Sequence, residues 1–358
     1  LSMSHDIQLK QMQPVYWGLL HGINDLVAGW LLATYTLTED YNSSFLYISL
    51  YAIIAFGGQV PVGFWLDKRK DIRDFAFISL ISLPIAVLSF FISIEMAIII
   101  SGIASAVVHV TGGTVCLQVH QNKAGPLGLF TAPGVLGLNV GSVLGGAGLL
   151  LPSMLMLSIL VLSILIFRAR LPQYKSAEKK QSELDSHDLA MLLILLFMCF
   201  RSFLFDVVNY VAENYENGIL YLGISAFLGK IMGGFIADKM GVKKFIYITL
   251  ITALLLFQFG KENIYMLCAG IAFLQSSVPV TLLMMGQSLP LHPASASSFS
   301  LGLSIVLAGL PLFLVTDKKQ IFDNFDKAGF SALVFAVLLL VAIVAMRFYT
   351  TWLERKRE

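Results

Sequence analysis

Apolar runs of about twenty residues, the length that crosses a bilayer as a helix, follow one another along nearly the whole chain. They lie near residues 14–37, 44–66, 74–94, 96–118, 125–150, 152–168, 189–211, 218–237, 243–260, 264–287, 294–316 and 328–350, numbered spans one to twelve in chain order. Lipid offers a peptide group no hydrogen-bond partner, so each run must satisfy its own backbone as a helix. The sequence therefore predicts an all-α membrane protein of twelve transmembrane helices. Composition agrees: 13% of the residues are charged and mean hydropathy is +0.80, whereas a soluble domain carries roughly 25% charged residues. A soluble enzyme, a nucleic-acid binder and a secreted disulfide scaffold are excluded. Cys116, Cys199 and Cys268 fall inside apolar runs with no metal or redox spacing, so they are read as packing residues, and no metal or cofactor is expected. No signal-peptide pattern is expected ahead of span one.

Charge sets the orientation. Seventeen of the 24 Lys and Arg residues fall on the side that holds both ends of the chain and the even-numbered loops. Four fall on the other: Lys261, Lys318, Lys319 and Lys327. Basic loops stay inside, so both termini are expected in the cytoplasm, in a plasma membrane of bacterial inner-membrane type. The longest polar stretch follows span six. It divides the chain into bundles at 1–168 and 189–358, joined by a cytoplasmic linker at 169–188. An internal repeat supports that division. Span two ends in Gly63-Phe-Trp-Leu-Asp67-Lys68, and span eight in Gly234-Phe-Ile-Ala-Asp238-Lys239-Met-Gly241-Val-Lys243-Lys244.

The repeated Gly-x-x-x-Asp-Lys string resembles the loop motif of the major facilitator superfamily, which follows the second and eighth helices. The resemblance implies two pseudo-symmetric six-helix bundles and transport by alternating access. Span five carries Gly128, Gly137, Gly141, Gly145 and Gly146, similar to the antiporter motif of drug-exporting members, with Ser142 in the place of a proline. Three stretches resemble the fosmidomycin-resistance type of drug/proton antiporter: His21-Gly-Ile-Asn24-Asp25, Val108-His109, and the glycine run from Phe130 to Gly146. The implied function is proton-coupled export of a small molecule by a monomer. Uptake of a small organic anion or nutrient is the alternative, and a non-transporting receptor a more distant one. By resemblance Asp67 and Asp238 should sit at the starts of spans eleven and five, where a helix N-terminus favours an anion and would hold the cytoplasmic side closed. Lys70 stands where the motif has its second glycine, so the Asp238 copy is expected to matter more.

Ionisable residues inside spans mark candidate chemistry, because a charge at the bilayer centre costs roughly 2.5–3.5 kcal/mol on insertion scales. Asp25, Arg201, Asp206 and Lys230 lie away from the span ends; Arg347 should snorkel to the cytoplasmic surface. By residue count Asp25, His109, Arg201 and Gln275 sit near mid-depth on spans one, four, seven and ten, which line the cavity in the superfamily. His21 and Asp25, spaced i, i+4, share a helix face and form the candidate proton-coupling pair. They could equally form a structural hydrogen-bond cluster. The guanidinium of Arg201 suits a carboxylate or phosphate, or could pair with Asp25 or Asp206. Lys230 could reach the cavity or snorkel, and Asp206 could gate or be simply solvated. Asn24, His109, Asn139 and Gln275 complete the candidate substrate-binding set, with helix packing as the alternative for each. The span-five glycines read as close-packing contacts.

Overall fold

The computed structural model describes residues 11–69, 71–149, 156, 159–160, 163–164, 166, 186–260, 262–313 and 328–355. Most of span six, residues 169–185 of the expected linker, and all four outer lysines, Lys261, Lys318, Lys319 and Lys327, lie outside them. Every regular element among the described residues is helical. Spans one, three, four and five are the helices Gln13–Thr38, Arg73–Ser89, Ile94–Val119 and Ala124–Gly146. Spans seven, eight, nine and twelve are Ser186–Ala212, Gly218–Met240, Val242–Gly260 and Ala328–Arg355. Eight helical stretches in the described residues are long and apolar enough to cross a membrane. Span one is 26 residues long but is not among them, because it carries Gln13, His21, Asn24 and Asp25.

Local chemistry sets the ends. Asp40 caps span two by accepting from the Ser43 amide at 3.2 Å, and the Ser43 hydroxyl together with that amide holds its carboxyl below the usual range. Ser93 caps span four and Asn263 caps span ten in the same way. Gly241 ends span eight at φ +84°, a conformation that favours glycine.

Among the described residues three spans are interrupted. Span ten is helical over Ile264–Gln275 and Ser277–Ser288, with the junction at Ser276. Span two widens from Tyr41–Ala52 into a π turn at Ile53–Gly57 before Gln59–Asp67. Span eleven runs Pro293–Ser298, a π turn at Phe299–Leu303, then Ser304–Phe313. The two π turns face each other: a Cβ on Gly302 would strike the Phe56 carbonyl. The buried Gln59 amide donates to Ala55 O at 3.1 Å and to Leu301 O at 3.4 Å, one carbonyl from each helix. Wide turns of this kind are frequent at functional sites.

Spans one and five pack backbone to backbone. A Cβ on Gly18 or Gly29 would meet a carbonyl of span five, and one on Gly137, Gly141 or Gly145 a carbonyl of span one. Side-chain-free positions let these helices approach to contact. Gly146, by contrast, faces open space. Most of spans four and ten is buried but little of span two, so four and ten run through the interior. Phe77, Ile85 and Leu88 on span three and Ile251, Leu255 and Phe259 on span nine are exposed, as lipid-facing side chains are.

Candidate functional site

Span one sets His21 and Asp25 one turn apart, and its packing on span five brings both against Gly134, where any side chain would displace them. His21 Nδ1 donates to the Phe130 carbonyl at 3.0 Å. His109, from span four, donates its Nδ1 to the Ser105 carbonyl at 2.8 Å. A carbonyl can only accept, so both imidazoles carry their fixed proton on Nδ1 and present Nε2 elsewhere. Both present it to Asp25: His21 Nε2 lies 3.1 Å from Oδ2, and His109 Nε2 lies 3.7 Å from Oδ1. The rings stand edge to face with centroids 4.3 Å apart. Asn24 holds the carboxylate from the side, donating to Asp25 Oδ1 at 2.8 Å and to Ser105 Oγ at 3.1 Å.

Two imidazole lone pairs facing a carboxylate set acceptors against an acceptor, a mismatch that a proton on one member of the trio would relieve. The three donor atoms lie within 4.8 Å of one another, a spacing that could also hold a metal ion. His21 and His109 are buried and the Asp25 side chain is 15% exposed, so access is narrow rather than sealed.

The second half faces this trio with positive charge. Arg201, 4% exposed, donates from Nη1 to the Thr281 hydroxyl at 2.7 Å. Lys230 donates to the Thr131 carbonyl of span five at 3.4 Å, one residue beyond the carbonyl that anchors His21. It is close enough to Arg201, Asp25 and His109 to interact with each. Lys230 stands eight residues before Asp238 as Gln59 stands eight before Asp67, and both donate to a carbonyl of the opposite half. It reaches inward rather than snorkelling.

The loop aspartates meet helix starts crosswise. Asp67, 6% exposed, accepts from the Ala294 amide at 3.1 Å, the Ser295 amide at 2.9 Å and the Ser295 hydroxyl at 2.5 Å, with His292 Nδ1 at 3.8 Å. Asp238 accepts from the Ala124 and Gly125 amides at 2.7 and 2.9 Å. Gly63 and Gly234 permit the approach, since a Cβ on either would press on span eleven or span five. Lys68 and Lys239 are exposed beside them. Gln287 of span ten bridges the halves at the same end, accepting from the Tyr349 hydroxyl and donating to Asn122 at 3.2 Å.

The sequence matches the Major Facilitator Superfamily over residues 17–288. The chain belongs to that superfamily. No curated protein sequence matches it. In fold this superfamily member is similar to the Escherichia coli fucose:proton symporter, at 14% identity and TM-score 0.69 over 96% of this chain and 98% of that one. It is also similar to the human organic anion transporter MFSD10, at 13% identity and TM-score 0.61 over 95% and 99%. A bacterial homologue of the iron transporter ferroportin, described in an outward-facing state, matches at 13% identity and TM-score 0.59 over 96% and 99%. These identities establish the fold alone, the all-helical architecture of the superfamily.

Within that fold the expected residues part company. His21, Asn24, Asp25 and His109 come together, and Arg201 and Lys230 face them. Gln275 is buried at the break of span ten, 5% exposed. Asn139 is elsewhere: its amide donates to the Ile219 carbonyl at 3.0 Å and abuts Gly223, which makes it a contact between spans five and eight. Asp206 makes contacts of its own. Gly137, Gly141 and Gly145 pack against span one, and Gly146 touches nothing. Ser105, Thr131, Thr281, Gln59, Gln287 and the Phe130 carbonyl were not legible in the sequence. Neutral groups inside apolar runs stand out only once a partner is known.

Proposed function

We propose that this chain is a proton-coupled secondary transporter that carries a small molecule by alternating access. Asp25 and His21 form the proton site. Asn24, His109, Arg201, Lys230 and Gln275 line the route of the substrate. Asp67 and Asp238 latch the end that the basic residues assign to the cytoplasm, so the described arrangement corresponds to a cytoplasm-closed state. The observation that carries the reading is the convergence of two Nε2 lone pairs on one half-buried carboxylate, which calls for a proton at that point. The halves at 1–168 and 189–358, cytoplasmic termini, a bacterial inner membrane and a monomeric state belong to the same proposal.

Direction has two readings. The span-five glycine run and the three stretches similar to fosmidomycin-resistance exporters support export in exchange for protons. The paired cations of spans seven and eight favour uptake of a small organic anion. A receptor on the same fold would move nothing, so flux separates it from both.

The test uses purified protein in proteoliposomes under an imposed pH gradient, with substrates first found by a ligand-stability screen. Asp25→Asn should abolish gradient-driven accumulation while leaving substrate exchange measurable. Wild-type accumulation by this variant would remove Asp25 as the coupling acid.

A further inference from the structure

Arg201 offers five N–H donors, and its one partner among the described residues is the Thr281 hydroxyl. The ammonium of Lys230 offers three, and its one hydrogen-bond partner among the described residues is the Thr131 carbonyl at a long 3.4 Å. Both partners are neutral. No carboxylate of the described residues lies within ion-pairing distance of either cation. Buried charges are ordinarily paired, and the buried Arg201 beside the half-buried Lys230, with no carboxylate bridging them, departs from that rule. The carboxylate that acts on Lys230 is Asp25, which is already engaged by His21, His109 and Asn24. Donors are therefore in surplus on one side of the site, and an acceptor bearing negative charge is what they lack.

We propose that Arg201 and Lys230 form the anion subsite of this transporter, and that an anion bound there and a proton bound at the His21–Asp25–His109 trio reinforce each other. The proposal rests on the transporter reading and names its substrate class: a small molecule carrying a carboxylate or a tetrahedral oxyanion. Guanidinium and ammonium suit either, the first as a fork and the second as a point charge. The linkage follows from charge. Asp25 faces His21 on its own helix, His109 from span four, Tyr51 from span two and Lys230 from span eight. Arg201 faces Lys230 and Cys199. A proton on Asp25 removes negative charge beside Lys230, and one on either histidine adds positive charge. Each change therefore favours an anion at the subsite, and by reciprocity the anion favours the proton. Partners that strengthen each other's binding travel together. Exchange in opposite directions would need them to compete.

Binding is measured on the full-length protein in detergent, with sulfate, oxalate and choline as probes, at about pH 6 and about pH 8 on either side of the ordinary histidine range. Neither anion changes its own charge between these values. Sulfate or oxalate should bind saturably and more tightly at the lower pH, and choline should not bind. Arg201→Gln and Lys230→Gln should each weaken the anion at least about tenfold, the size of one lost charge-assisted hydrogen bond. Arg201→Lys and Lys230→Arg keep the charge and should keep binding within a few-fold, which separates loss of the site from loss of the fold. Asp25→Asn should bind tightly at both pH values. Absence of saturable binding by both anions overturns the subsite, as does wild-type affinity in both glutamine variants. Weaker binding at the lower pH overturns the linkage. None of these results touches proton-driven flux, so transport that persists without an anion site would refute this inference and leave the transporter reading standing.

Discussion

At the scale of single residues, Gly134 controls the trio as firmly as the trio's own members do. A Cβ there would meet His21 Nε2 and stand 2.6 Å from Asp25 Oδ2. Gly134→Ala should push both side chains from their present positions while costing about 1–3 kcal/mol of stability, as overpacking does. The expected readout is loss of gradient-driven transport in a protein that still elutes as a folded species. Retained coupling would mean that the trio tolerates displacement. The pairing of His21 with Asp25 was legible from i, i+4 spacing, and His109 from its depth. Their anchors were not, because the Phe130 and Ser105 carbonyls are backbone groups that every residue possesses. The trio's geometry also shows why Lys230 could not be settled by counting residues. Its direction is set by span eight packing on Gly128, which a residue count does not see.

At the scale of elements, the span-five glycines divide by what they face. Gly141 packs against the Leu26 carbonyl and the Trp30 amide, whereas Gly146 meets nothing. Gly141→Ala should force spans one and five apart at a cost of about 1–3 kcal/mol. Gly146→Ala should be neutral, or stabilising by up to about 1 kcal/mol, because alanine is the better helix former. Thermal unfolding in detergent distinguishes the two. Equal effects would show that the motif acts through helix propensity rather than contact. The described spans and their helical state were legible because apolar length and backbone satisfaction leave no alternative in lipid. The breaks in spans two, ten and eleven were not. The π turns lie where Gln59 and Gly302 meet across two helices, and nothing in either local sequence announces that meeting.

At the scale of the whole molecule, two carboxylates tie the halves together at one end, each on a helix start of the other half. The repeat made their positions legible, but turn chemistry led to the expectation that Asp238 would dominate. Burial reverses that ranking. Asp67 is buried with two amides, a hydroxyl and His292 about it, while Asp238 is exposed with two amides. Hydrogen bonds to a charged group contribute about 1.5–3 kcal/mol, and a helix start adds up to about 2 when partly buried. Losing them moves a balanced two-state equilibrium by tenfold or more. The decisive measurement is the distance distribution between spin labels at Gln121 and Lys244, exposed positions at this end of the two halves, in the parent protein, Asp67→Asn and Asp238→Asn. Alternating access governed by these latches predicts one short distance in the parent. It predicts a second, longer distance in both variants, more populated in Asp67→Asn. Unchanged distributions in both folded variants would contradict it and reduce the two aspartates to ordinary helix caps.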